Sequence, residues 1–206
     1  KRKVGYMSKI SHILLAAGTS KRMGEPKQLL PWGSQSLIQF QVEKILPTTE
    51  HLYVVLGAYA DRVEPLLKGL DVESIRCKHW EKGMGASLSF VINEILNTNS
   101  DLDGVLVSLI DQPLVSSAHY LKMRALFQKG NNQIIVSESD SGWCGVPVLF
   151  DSCYFHDLQS LSGEEGAKVI FKRNLENVVY VKSGNSLVDM DTPEMYQKLL
   201  KEFSPQ

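Results

Sequence analysis

The residues best placed to do chemistry lie between Leu14 and Gly33, in the stretch LLAAGTSKRMGEPKQLLPWG. An apolar run, Ile13 to Ala17, gives way abruptly to Gly18, a pair of hydroxyls and the cations Lys21, Arg22 and Lys27. Gly18 and Gly24 permit backbone conformations that other residues resist. Successive amides can then point inward as an anion-binding nest. Arg22 offers a planar fork and Lys27 a point charge, and both suit phosphate. Pro26 stiffens the approach to Lys27. A polyphosphate is the simplest ligand for such a loop. An ordinary surface loop with solvated cations is the competing reading on composition alone. No GxxxxGK[ST] run is present, and the loop's Gly-x5-Gly spacing is not GxGxxG, which disfavours a P-loop and a dinucleotide fold.

Carboxylates form a second group. Asp111 ends the apolar run VLVSLI and precedes Gln112-Pro113. Magnesium is commonly held by one or two carboxylates plus substrate phosphates, and Asp111 can supply one ligand. VDMDTPE places Asp189 and Asp191 at i and i+2, on one side of an extended segment. A turn role for Asp189, and a hydrogen-bonding role for Asp191 at the lip of the last helix, compete with metal binding. GMGASL, 83–88, has glycines that admit close approach of a flat base or a phosphate. Ser87 can cap the helix that starts there or touch the ligand.

Elements able to hold these residues follow from the hydrophobic pattern. Strands are expected at 10–17, 51–57, 72–77, 104–110, 133–137, 146–150 and 178–181. Helices are expected at 34–46, 60–68, 83–97, 152–161 and 164–172. Ala118, Leu121, Ala125 and Leu126 share the face of a further helix. Thr192-Pro193-Glu194 starts the last one, with a core face of Tyr196, Leu199, Leu200 and Phe203. The continuous apolar run 104–110 suits a strand covered on both faces. Strands alternating with helices imply a mainly parallel sheet, whose ligands sit beyond the carboxyl ends of the strands. Both the cationic loop and Asp111 leave such ends.

The 206 residues suit one α/β domain, placed at 8–204, with 1–7 a frayed start or a cloning remnant. A net charge of −1 offers no footprint for nucleic acid or an anionic membrane. Three dispersed cysteines, Cys77, Cys144 and Cys153, make no CxxC pair or disulfide framework and favour the cytoplasm. Apolar runs reach about seven residues, against the roughly 18 that a spanning helix needs. None of the five histidines stands beside a plausible nucleophile.

Taken together, these stretches resemble the MobA-like nucleotidyltransferases. LLAAGTSKRMGEPKQLLPWG is similar to their LAAGxSxRMGxPKxLLP signature. GMGASL, LIDQPLV, GVPVLF, GEEGAKVIF and VDMDTPE echo further family segments, in order, over nearly the whole chain. The likeness is strongest to the molybdenum cofactor cytidylyltransferase branch. The guanylyltransferase branch usually reads LAGG for LAAG and tends to carry asparagines at the positions of Asp189 and Asp191. Departures from the pattern are Lys82, Ile110 and Val146.

The resemblance implies a Rossmann-like three-layer α/β/α sandwich of the nucleotide-diphospho-sugar transferase type. It implies CMP transfer from CTP to the terminal phosphate of molybdopterin, with Mg²⁺ and release of pyrophosphate, and a molybdenum hydroxylase as recipient of the product. The Leu15, Ala16, Ala17 and Gly18 backbone would hold the nucleotide, and Gly83 and Ser87 would border the base. Arg22 and Lys27 would neutralise phosphate charge, and Asp111 would hold metal with Asp191 as a second ligand. Lys27 and Asp111 are then expected to face one another across a cleft, with the magnesium triphosphate between. Guanylyl transfer from GTP, cytidylyl transfer to a sugar or polyol phosphate, and a non-catalytic nucleotide-binding module are the alternatives.

Overall fold

The computed structural model describes residues 8–203. The expectations for residues 1–7 and for residue 204 therefore lie outside the described residues. In chain order the elements are β1 (Ile10–Ala16), β2 (Pro31–Trp32), β3 (Gln35–Ser36), α1 (Leu37–Ile45), β4 (Leu52–Leu56), α2 (Ala60–Val63) and β5 (Glu73–Arg76). They continue with α3 (Met84–Thr98), β6 (Gly104–Leu109), α4 (Ser117–Leu126), β7 (Ile134–Glu138), β8 (Cys144–Asp151), α5 (Phe155–Gln159), α6 (Lys168–Arg173), β9 (Val178–Lys182) and α7 (Pro193–Phe203).

Seven strands form one sheet in the order β5-β4-β1-β6-β8-β7-β9. Only β8 runs against the others. The central strands are mostly apolar because both of their faces are covered; Ser11 and His12 of β1 and Ser108 of β6 are buried polar exceptions. All seven residues of β1 and all five of β4 are buried. The side chains alternate between two cores. Leu14 and Ala16 join Leu106, Val42 and Leu199 on the face covered by α1, α4 and α7. Ile13 and Leu15 join Val107, Leu88 and Phe171 on the face covered by α3, α5 and α6. Each large aliphatic side chain fully buried in these cores contributes about 1.5–3 kcal/mol.

From β1 the chain moves outward through β4 to β5, then returns to place β6 on the other side of β1. The strand order thus reverses at the β1–β6 pair. That is where open α/β sheets bind ligands, beyond the carboxyl ends of the strands.

Several boundaries differ from the sequence reading for identifiable reasons. The helix expected at 34–46 starts at Leu37, because 31–36 form the small β2–β3 ribbon. Ser36 caps it, its backbone N–H donating to Gln39 Oε1 at 3.3 Å. In the 60–68 segment Pro65 converts the second half to a 3₁₀ turn. The segments at 152–161 and 164–172 each keep a single short helix, α5 and α6.

The expected face of α4 is wrong. Ala118, Leu121, Ala125 and Leu126 are exposed, and His119, Tyr120 and Met123 are buried instead. Polar atoms of the true face find partners in the core: His119 Nε2 lies 2.8 Å from Ser137 Oγ. Phe203, placed on the core face of α7, is also exposed, since that helix ends beyond the edge of the core.

Candidate active site

The loop after β1 is built to hold a fixed shape. Met23 is buried in the core and pins its middle. Met23 N–H donates to Ser20 O at 2.9 Å, Ala58 N–H to Ala17 O at 3.1 Å, and Tyr59 OH to Thr19 O at 3.0 Å. Gly24 takes φ +75°, a conformation that side chains resist. Gly18 serves differently. Its φ is ordinary, and a Cβ there would meet nothing within 4 Å, so the missing side chain leaves open space beside the backbone. After Pro26 the chain makes the 3₁₀ turn Lys27–Leu29, and Lys27 N–H is fixed on Ser20 Oγ at 3.1 Å.

That turn aims Lys27 across the ends of β1 and β6. Lys27 Nζ donates to Asp111 Oδ2 at 3.0 Å and to Asp191 Oδ1 at 2.6 Å. Arg22 Nη2 donates to Asp191 Oδ2 at 2.7 Å. The lysine is 8% exposed, the two aspartates 20% and 30%, and the arginine 71%. A buried cation therefore sits between two half-buried carboxylates, with a second cation at the rim. Lys27 and Asp111, expected to face one another across one cleft with a magnesium triphosphate between, line the same cleft and here touch directly. Met190 N–H, donating to Asp111 O at 2.8 Å, ties the segment carrying Asp191 to the end of β6.

Burial would raise the Asp191 carboxyl, but the Lys27 hydrogen bond and charge, with Arg22, outweigh it and hold the group below the ordinary carboxylate range. Asp189 goes the other way. Burial, then the negative charge of Asp111, pushes it up, although Gln112 Nε2 donates to its Oδ1 at 3.0 Å.

These residues line one cleft of about 630 Å³, within the range of small-ligand sites. Leu15, Ala17, Gly18, Arg22, Lys27, Gly83, Ser87, Asp111 and Asp191 all contribute to its wall. Ala16 does not, because it points to the opposite face of the sheet. Ser87 is buried, and its hydroxyl is engaged with Gly83 O at 3.1 Å. Gly83 and Gly85 let the start of α3 press against the loop before α6. A Cβ on Gly83 would lie 2.5 Å from Gly163 O, and one on Gly85 2.3 Å from Glu165 O.

Further contributors escaped the sequence reading. Trp80 adds an aromatic wall, packed so tightly that a Cβ on Gly57 would lie 2.7 Å from it. Glu81 and Glu164 add acidic rim groups. Two buried glutamines brace the strand ends that frame the cleft. Gln28 Nε2 donates to Ala16 O at 2.6 Å, and Gln41 Nε2 to Ile110 O at 3.1 Å. Buried carbonyls freed where strands part need such donors. Gln28 could have been suspected from its place beside Lys27; Gln41 gives no local signal inside an amphipathic helix.

The donor chemistry fits a hard cation. Asp111 Oδ1 is buried without a hydrogen-bond partner. No cluster of three or more His, Cys, Asp or Glu ligands occurs among the described residues. Asp111 and Asp191 could therefore hold a metal only with further ligands from a bound molecule, as magnesium sites at phosphates commonly do.

Comparison with known proteins agrees with this geometry. The model for the MobA-like NTP transferase domain matches residues 12–178. The chain is 28% identical over 205 residues to the purine catabolism protein PucB of Bacillus subtilis, covering 93% of this chain and 96% of that protein. It is 34% identical over 79 residues, 38% of each chain, to a probable molybdenum cofactor guanylyltransferase of Bacillus cereus. The structure of a nucleotidyl transferase from Methanothermobacter thermautotroptrophicus superposes with a TM-score of 0.79 at 25% identity, covering 97% of this chain and 98% of that one. With a seven-stranded, mostly parallel sheet and a cationic loop at its strand-order reversal, the chain belongs to the MobA-like NTP transferase family, and is a nucleotidyltransferase of the nucleotide-diphospho-sugar transferase fold.

Proposed function

We propose that the protein transfers CMP from CTP to the terminal phosphate of molybdopterin and releases pyrophosphate. The observation that carries the reading is the Lys27–Asp111–Asp191 cluster, with Arg22 at its rim, at the carboxyl ends of β1 and β6. In this reading an acceptor phosphate oxygen attacks the α-phosphorus in line, a new P–O bond forms, and the bond to pyrophosphate breaks. Lys27 and Arg22 stabilise the charge that builds on the departing pyrophosphate. The backbone from Leu15 to Gly18 and the start of α3 orient the nucleotide. Mg²⁺, held by Asp111 and Asp191 when bound, would supply further neutralisation of the triphosphate. A phosphate monoester is mostly dianionic at neutral pH, its second pKa being about 6, so it is already nucleophilic. No general base is required, in keeping with a cleft lined by no histidine.

The choice of CTP rests on LAAG at 15–18 and on the aspartates at 189 and 191. Guanylyl transfer is the second reading, and the Bacillus cereus relative favours it. Pyrophosphate release decides, with each of the four NTPs, Mg²⁺ and molybdopterin, and with methylerythritol phosphate as the competing acceptor. Release with CTP and molybdopterin is expected. Release with GTP alone would replace the cytidylyl reading, and release only with the polyol phosphate would replace the acceptor. No release with any pair would leave a nucleotide-binding module.

A further inference from the structure

Trp143, just before β8, is a large aromatic side chain left 40% exposed at one end of the sheet that carries the active site. Because β8 runs against β6 and β7, its first residues lie near the carboxyl ends of those strands. The turn carrying Trp143 is closed by its own hydrogen bonds. Ser139 N–H donates to Trp143 O at 2.8 Å, Trp143 N–H to Ser139 Oγ at 3.0 Å, and Gly142 N–H to Ser139 O at 3.0 Å. Asp140 N–H, donating to Gly184 O at 3.2 Å, anchors the same turn to the loop that leads to Asp191. The indole has been given room. A Cβ on Gly145 would lie 2.4 Å from the ring, so only glycine lets it sit there.

A cation accompanies the ring. Lys168 Nζ lies 5.5 Å from the indole centroid and makes no ion pair among the described residues. Lys168 opens α6, four residues after Glu164, which lines the cleft. The connecting loop is held on the start of α3, where Gly85 N–H donates to Gly163 O at 2.9 Å. An exposed indole, with an ammonium that faces it and makes no ion pair among the described residues, thus stands one short loop away from the nucleotide cleft. Nothing in the packing of either core calls for an exposed tryptophan there.

We propose that Trp143 and Lys168 are the acceptor subsite, and that they select an acceptor with a planar heteroaromatic ring and an anionic group. The indole stacks on the ring, and Lys168 pairs with the charge. This inference rests on the transferase reading above and extends it. The cleft's own cations serve the triphosphate, so an acceptor approaching beside it needs separate recognition. An open-chain polyol phosphate has no flat face for the indole.

The test uses the full chain, with Trp143→Ala, Trp143→Phe and Lys168→Ala, measured for pyrophosphate release against acceptor concentration. The KM for a pterin-bearing acceptor should rise roughly tenfold in Trp143→Ala, about the loss of one aromatic stacking partner. The KM for the nucleotide should not change, and Trp143→Phe should recover most of the loss. Lys168→Ala should raise the acceptor KM less, and its deficit should shrink as salt is added. An unchanged acceptor KM in Trp143→Ala, in an enzyme that turns over, overturns this inference and leaves the transferase reading intact. Failure of that reading instead appears as no release by the wild type with any acceptor. In that event, calorimetry with 6-hydroxymethylpterin phosphate in the presence of CTP still decides. Equal affinity in wild type and Trp143→Ala, or no binding to either, overturns the subsite, and weakened binding in the variant supports it.

Discussion

Lys27 holds together two carboxylates that would repel one another without it. Its Nζ is shared between Asp111 and Asp191, and it is almost wholly withdrawn from solvent. Removing one member of a buried charge cluster leaves the rest uncompensated, which is usually a larger effect than the net worth of the pair. The two consequences of losing Lys27 point in opposite directions, and that makes the residue informative. Turnover in Lys27→Met should fall on the order of 10²–10³-fold, as when one charge-stabilising donor is removed. Affinity for Mn²⁺ without nucleotide should rise, because two carboxylates lose their tethered cation and Asp111 Oδ1 already lacks a partner. Titration of free Mn²⁺ by electron paramagnetic resonance, alongside pyrophosphate release, reads both. Near-wild-type turnover would remove Lys27 from the chemistry, and unchanged Mn²⁺ affinity would remove the aspartates from metal binding. Lys27, Asp111 and Asp191 were all legible in the sequence, because charge at the end of an apolar strand is a local signal. Their direct contact was not legible, since it depends on how far the 3₁₀ turn after Pro26 carries the ammonium over β6. Trp80 and Gln41 gave no signal for the same reason: their roles exist only once distant elements meet.

At the scale of elements, the cleft depends on how closely the start of α3 approaches the loop before α6. Two glycines set that distance, and the contact is backbone against backbone, so it cannot be relieved by a rotamer change. Gly85→Ala should therefore push the two segments apart. Overpacking costs about 1–3 kcal/mol, which for a chain of this size corresponds to roughly 2–12 °C in melting temperature. The nucleotide KM should rise as well, since Gly83 and Ser87 line the cleft from the same element. Gly18→Ala is the contrasting control. Its Cβ meets nothing within 4 Å, so the melting temperature should hold while nucleotide binding weakens. An unchanged nucleotide KM in both variants would separate the α3 start from the site. The helical and strand patterns were mostly legible here, because alternation and i, i+4 spacing follow from burial on one side. α4 shows the limit of that logic. Its Ala118–Leu126 stripe is as apolar as a core face, yet the helix buries His119, Tyr120 and Met123, whose polar atoms meet Ser137 and Ser108. Hydrophobicity alone ranks the two faces wrongly when the buried one carries hydrogen bonds that only the tertiary structure supplies.

Across the whole molecule, the two cores share a sheet that contains a buried histidine at its centre, and this sets how the fold responds to acid. His12 in β1 is wholly buried, with Nε2 2.8 Å from Ser108 Oγ and its ring edge-on to Tyr120 at 4.9 Å. Burial, and then the charges of Arg124 and Lys44, push its pKa down to about 3. His119 is likewise lowered to about 4 by burial, with Lys122 adding to it. In the unfolded chain both would take up protons near pH 6.5. A depressed folded pKa means that the unfolded state binds more protons below that point. The contribution of the two histidines is therefore fully present above about pH 6.5 and is lost as the pH falls toward 3. His12 alone should cost about 2 kcal/mol between pH 7 and pH 5, at 1.36 kcal/mol per pKa unit. Asp191, held below the carboxylate range, adds a further loss only at lower pH, as its folded pKa is crossed. Urea unfolding at pH 7, 6 and 5 should show the midpoint falling steadily while the slope with denaturant stays constant. In His12→Gln, which keeps a polar group beside Ser108 but cannot titrate, the chain should start less stable at pH 7 and lose less on acidification. An acid dependence as steep in the variant as in the wild type would move the proton uptake away from the centre of the sheet.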